Sequence, residues 1–199
     1  MYPLLETICI DAGTFRNMPG HAARIERSCQ KLFGVRPAFD VHEILSKTNV
    51  PPVGMHKCRL RYNAQTAVVE IEPYTLKPIR SLRCVEAPHL TYDLKYANRD
   101  ALNAVFAERN GCDDVLITQA GWVRDTSYGN ICFLKDGVWY TPEQPLLCGT
   151  MREWMLAAQR VTPRPLHVRD LHMYSHFVVI NAFRHVLWPE GMMQSLQQS

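Results

Sequence analysis

Residues 121–142 read GWVRDTSYGNICFLKDGVWYTP, and their spacing sets the architecture of the middle of the chain. Residues 122–124 form a short strand that follows the turn Ala120-Gly121 and ends on the turn-forming run Asp125-Thr126-Ser127. Residues 130–134 and 138–141 are rich in apolar, β-branched and aromatic side chains on either side of Asp136-Gly137, a pair that suits the tight loop of a hairpin. Residues 114–119 supply another strand before this stretch. Gly149, after it, opens a helix predicted to reach about residue 160. Strands that return on themselves are thus interleaved with helices.

The same pattern extends toward both ends. Residues 4–11 alternate as a strand, and Asp11-Ala12-Gly13 turns it into a second short strand through Phe15. Residues 21–33 place Ala22, Ile25, Cys29 and Leu32 at helical spacing with Arg24, Arg27 and Lys31 between them, and Gly34 closes the helix. A short helix over 41–46 and a hairpin of 57–63 with 67–74 around Ala64-Gln65 come next, then a strand over 79–85 and a helix over 98–108 capped by Gly111. Following Pro163 and Pro165, a short helix at 168–174 and a buried strand at 177–180 end the readable signals.

Composition narrows the function. With 199 residues, 47% of them apolar, the chain is long enough for one large domain or two lobes. It has no apolar run near the ~20 residues of a membrane span, and its N-terminus lacks the charged start and apolar core of a signal peptide, so a cytoplasmic protein that does not bind membranes is expected. Seven cysteines without a C-x-x-C pair are expected to be reduced and structural, and the eight histidines show no zinc-binding pattern. A net charge of +3, with the basic residues dispersed, argues against nucleic acid. It leaves room for a phosphate-bearing ligand, which needs only a few cations.

Four separated places carry the candidate chemistry: Arg24 on the first predicted helix, Lys95 before the middle one, Asp125 in its turn, and the helix start Gly149-Thr150-Met151-Arg152. A helix start offers unpaired N–H groups and a positive dipole end to an anion. Each place also has an ordinary reading: a solvated arginine, a surface lysine, a turn bonding its own backbone, a capped helix.

In order and local wording, six segments resemble the class IV aminotransferase family, the fold-type-IV enzymes of pyridoxal phosphate (PLP). They are HAAR at 21–24, LKYANR at 94–99, GWVRDTSYGN at 121–130, KDGVWYTP at 135–142, CGTMR at 148–152 and VINA at 179–182. The likeness runs from about residue 4 to about 187 and implies an α+β, two-lobed fold like that of D-amino-acid aminotransferase. A small lobe over residues 1–84 and a larger one over 85–199 would have PLP between them, in a homodimer.

Residue by residue, the resemblance implies that Lys95 is the Schiff-base lysine, its amine neutral and therefore titrating well below the ~10.4 of a free lysine. Asp125 stands where the family usually has glutamate, beside the pyridine nitrogen, and keeps that nitrogen protonated so that the ring can take up carbanion electrons. Arg24 holds the phosphate with its fork, and Gly149, Thr150 and Met151 supply amide donors, Met151 standing where several relatives have threonine. K-x-x-N-R, G-x-M-R and the final N-A are most similar to aminodeoxychorismate lyase, which releases pyruvate from 4-amino-4-deoxychorismate to leave 4-aminobenzoate. The implied activity is therefore a PLP-dependent lyase or aminotransferase acting on an amino-chorismate or amino acid. Only Met1-Tyr2-Pro3 precede Leu4, where relatives carry further chain with an aromatic residue bordering the substrate. A degenerate PLP-binding relative acting through protein contacts is the alternative.

Overall fold

The computed structural model describes residues 2–185 and the backbone of two short strands, Gly191–Met192 and Leu196–Gln197. Strand β1 (Leu4–Asp11) turns through Ala12 and Gly13, both at positive φ, 46° and 77°. That is the handedness of a two-residue loop matched to strand twist, and β2 (Thr14–Phe15) returns with Phe15 opposite Ile10. Helix α1 (Met18–Phe33) starts three residues before the expected residue 21 because Pro19 lies in its first turn, where a missing N–H breaks no helical bond. Gly34 ends it at φ 73°. Its buried face is His21, Arg24, Ile25, Ser28 and Cys29, while Leu32 is 39% exposed. The expected apolar stripe is thus rotated, and Arg24 points inward.

Helix α2 (Val41–Ser46) is capped by the Asp40 side chain, which accepts from the His42 amide. Strands β3 (Met55–Tyr62) and β4 (Ala67–Pro73) complete an antiparallel sheet of order β2-β1-β3-β4. Leu4, Ile8, Ile10, Ile25, Cys58, Leu60 and Tyr62 pack its core. The chain forms two compact units, and this sheet belongs to the first, residues Met1–Leu76 with Leu94–Asn98. The short returning segment is tied in by buried Leu94, by the Leu5 N–H donating to the Lys95 carbonyl at 2.9 Å, and by Ala97 N–H donating to Pro3 at 2.8 Å.

The second unit, Lys77–Asp93 with Arg99–Ser199, holds two sheets. β5 (Leu82–Glu86), β6 (Asp114–Gln119) and β7 (Trp122–Thr126) are ordered β13-β5-β6-β7, with β13 being Leu196–Gln197. Helix α3 (Asp100–Ala107) is shorter than expected and ends at a Glu108 cap; Gly111, φ 83°, lies in the turn beyond instead of capping it. The other sheet contains β8 (Asn130–Lys135), β9 (Val138–Pro142), β10 (Thr162–Arg164), β11 (His176–Ile180) and β12 (Gly191–Met192), ordered β10-β9-β8-β11-β12. A 3-10 helix, Val168–Met173, precedes β11.

Strand alternation explains how β8 and β11 are buried on both faces. Ile131, Phe133, Phe177 and Val179 join Leu82, Leu116 and Val123 in one core. Cys132, Val178 and Ile180 point the other way and pack on Met151 and Met155 of helix α4 (Thr150–Ala157). All seven cysteines are free thiols, six of them buried and Cys148 exposed. The result is an α+β fold.

Candidate active site

In the first unit, β1 and α1 bring three polar side chains together in the interior. Glu6 is 0% exposed, His21 1% and Arg24 7%. The Arg24 Nε–H donates to Glu6 Oε1 at 2.8 Å, an Nη2–H donates to Oε2, and His21 Nδ1 meets Oε2 at 2.7 Å. Burial works to raise the Glu6 carboxyl, but the Arg24 charge and the Arg24 and His21 hydrogen bonds outweigh it and hold the group down to about 2. Sequence reasoning missed Glu6 as the partner of Arg24 and His21 as its neighbour on the same carboxylate. The three-residue spacing of His21 and Arg24, which puts both on one helix face, was the available signal.

Lys95 also belongs to the first unit, half-buried in the segment that hydrogen-bonds along β1. The backbone just after its Cα is held at Lys95 O and again at Ala97 N–H, which restrains where its side chain begins.

Asp125 lies on β7 and not in a turn, because the strand continues to Thr126 across a bulge against β6. It is 5% exposed. Asn130 Nδ2 donates to Oδ1 at 2.7 Å and the Leu147 N–H donates to Oδ2 at 2.9 Å. Burial nevertheless pushes its carboxyl up to about 7, against the opposing pull of those two donors and of the Arg152 charge. Such a group carries a buried negative charge at neutral pH only at a cost, and a cation brought against it relieves that cost.

The residues after Asp125 are held from outside the loop. Ser127 donates to Asp114 through its hydroxyl at 2.5 Å, and Arg99 Nη2 donates to the Ser127 carbonyl at 2.7 Å while its guanidinium lies over the Tyr128 ring. Thr126, the last residue of β7, donates its hydroxyl to Gly129 O at 3.0 Å and its side chain also bonds Asp114.

Asn130 links Asp125 to the start of α4. Its Nδ2 also donates to the Leu147 carbonyl at 2.8 Å, and its Oδ1 occupies the space that a Cβ on Gly149 would need. Gly149, extended at φ −73° and ψ 140°, is the N-cap and gives the first-turn amides no side-chain acceptor. Thr150 is 4% exposed and Met151 7%, the Met151 side chain being spent in the core, so that what this turn offers an anion there is backbone. Asp125, Gly149, Thr150 and Met151 are therefore brought together in the second unit, and Arg24 and Lys95 lie in the first.

In the second unit the donor set suits PLP, with a buried carboxylate that favours a cationic ring nitrogen and a helix start without a side-chain cap; in the first, the Arg24 fork is engaged by Glu6. Among the described residues, no group of three or more acidic, histidine or cysteine side chains could hold a metal ion, and no helix is long and apolar enough to cross a membrane.

A sequence profile of the amino-transferase class IV family matches residues 53–188. An uncharacterized protein of Haemophilus influenzae is 35% identical over 185 residues, covering 92% of this chain and 98% of its own. A solved structure from Haemophilus somnus, named as a candidate 4-amino-4-deoxychorismate lyase, is 33% identical with a TM-score of 0.88, covering 94% of this chain and 98% of that one. An aminotransferase from Brucella abortus, solved with PLP bound, shares the fold at a TM-score of 0.73 and 15% identity, covering 94% of this chain and 80% of its own.

Proposed function

From the premise that this chain belongs to the amino-transferase class IV family, we propose that it is a PLP-dependent lyase of the 4-amino-4-deoxychorismate type. Asp125 carries the reading: a carboxylate this buried, gripped by Asn130 and the Leu147 amide, has its chemistry prepared for a cationic partner. The similarity to the Haemophilus somnus protein supports lyase over aminotransferase.

PLP, when bound, supplies an aldehyde that captures an amine and a ring that takes up electrons from a carbanion. Lys95 would hold the cofactor aldehyde, and its amine, when free, would carry the proton of the substrate carbon that bears the amine. Asp125 holds a proton at the ring nitrogen. Arg24 and the Gly149, Thr150 and Met151 amides bind the phosphate.

Borohydride treatment of the PLP-loaded protein, followed by peptide mass spectrometry, tests the assignment. A pyridoxyl mass on the peptide containing Lys95, absent in Lys95→Ala, is expected, together with pyruvate release from 4-amino-4-deoxychorismate. Labelling mainly at another lysine overturns the attachment site. Deuterium exchange into D- or L-amino acids without pyruvate release moves the reading to aminotransferase, and neither activity on a trapped Lys95 leaves a non-catalytic PLP binder.

A further inference from the structure

Helix α4 begins with a charge in an unfavourable place. Arg152 lies in its first turn, where the helix dipole opposes a cation, and is only 6% exposed, so its guanidinium has also lost most of its water. Buried charges are ordinarily paired. Among the described residues Arg152 makes no ion pair: an Nη2–H donates to the Pro142 carbonyl at 2.8 Å, with Glu143 O at 3.5 Å, and the Nε–H is buried without an acceptor. Those carbonyls, at the end of β9 and just after it, fix the guanidinium near two buried groups to which it makes no hydrogen bond, Cys132 of β8 and Asp125 of β7, and its charge acts on both. Asn130 from β8, the Leu146 and Leu147 amides and Arg152 from α4 all act on the Asp125 carboxyl, and of these Arg152 alone carries charge. Asp114 of β6, a second buried carboxylate, bonds Val115, Thr126 and Ser127. The neutral donors fix where the Asp125 carboxyl lies. Coulomb attraction falls only with the inverse of distance, so a guanidinium need not touch that carboxyl to favour its ionised form.

We propose that Arg152 is a positioning residue that acts through Asp125: its buried charge, without a carboxylate of its own, keeps Asp125 ionisable at neutral pH, so that a cationic ring nitrogen meets an anion. This rests on the reading that Asp125 faces that nitrogen. Arg152 itself touches no cofactor.

The test reads Asp125 before any cofactor is added. In the full-length chain with isotope-labelled aspartate carboxyls, the Asp125 NMR signal is identified by its loss in Asp125→Asn. It is then followed against pH in wild type, Arg152→Gln, Arg152→Met and Arg152→Lys, each checked by circular dichroism for native fold. Arg152→Gln should raise the proton affinity of Asp125 by about tenfold, and Arg152→Met, which fills the space if the glutamine variant does not fold, should do the same. Arg152→Lys keeps the charge and gives up the fork, and should stay within about threefold of wild type. An Asp125 midpoint that does not move in the neutral variants overturns the proposal. So does one that moves as far with lysine, since shape and not charge would then be responsible. PLP titrations by absorbance over the same pH range separate the inference from the reading beneath it. Binding that weakens as pH falls, with a midpoint that moves upward together with that of Asp125, supports both. A moved Asp125 midpoint with an unchanged PLP profile overturns the reading that Asp125 meets the ring nitrogen, and the cofactor role of Arg152 with it.

Discussion

Asp125 shows how a single side chain can be set against its own fold. Its carboxyl titrates near 7 in the folded chain, against 3.8 when unperturbed, chiefly because it is buried. Between those values the folded state binds the proton that the unfolded state releases, so stability falls as pH rises from about 4 to about 7 and then levels. Asp125→Asn removes the buried charge and gives up part of the bonding to Asn130 and Leu147. Chemical denaturation should find the variant more stable than wild type by on the order of 3 kcal/mol at pH 8–9, the gain vanishing as pH falls below about 5. On the proposed role, the same variant keeps PLP but slows substrate proton exchange by at least about a hundredfold, equivalent to ~2.7 kcal/mol of barrier. A variant destabilised at pH 9 with unchanged exchange would make Asp125 an ordinary structural residue. The carboxylate was legible in the sequence as a candidate; its partners were not, since Asn130 reaches it across a bulged strand end and Leu147 is a backbone donor 22 residues away.

At the scale of elements, the junction of β8 with the start of α4 depends on a missing side chain. Gly149 has a φ that any residue adopts, so its need for glycine is spatial: a Cβ would collide with Asn130 Oδ1. Gly137 in the β8–β9 hairpin is the reverse case, with open space around it and a φ of 77° that L side chains rarely adopt. Gly137→Ala should cost about 1 kcal/mol and leave PLP affinity alone. Gly149→Ala should cost about 1–3 kcal/mol by overpacking and weaken PLP binding as well, because Asn130 must release Asp125 or Leu147 to make room. Thermal melts and PLP titrations of the two variants check this contrast, and equal behaviour of the pair would refute it. Helix α1 teaches a related lesson. Periodicity placed the helix but set Arg24 among its polar residues, because an amphipathic pattern ranks an arginine as polar whether or not a carboxylate awaits it inside.

Over the whole molecule, residues 94–98 leave the second unit and return to the first, so that Lys95 is carried by the β1 sheet through Leu94, Lys95 O and Ala97 N–H. Leu94→Ala should cost about 2–4 kcal/mol as a buried leucine truncation, and borohydride labelling of Lys95 should fall more than overall PLP content, since the segment loses its anchor. Labelling that simply follows PLP content would dissociate the anchor from the chemistry. The order of helices, strands and hairpins was determined by local sequence: period-2 and period-3.6 patterns, Asp136-Gly137, Gly34 and the Gly149 start are effects of neighbours within a few residues. Only the tertiary structure decided that Arg24 turns inward onto Glu6, that Asp125 sits on a strand with Asn130, and that the Lys95 segment joins β1. These are contacts between residues 18, 5 and about 90 positions apart in the chain. The first two are paid for by desolvation and recovered only in the finished fold, so no local pattern could encode them.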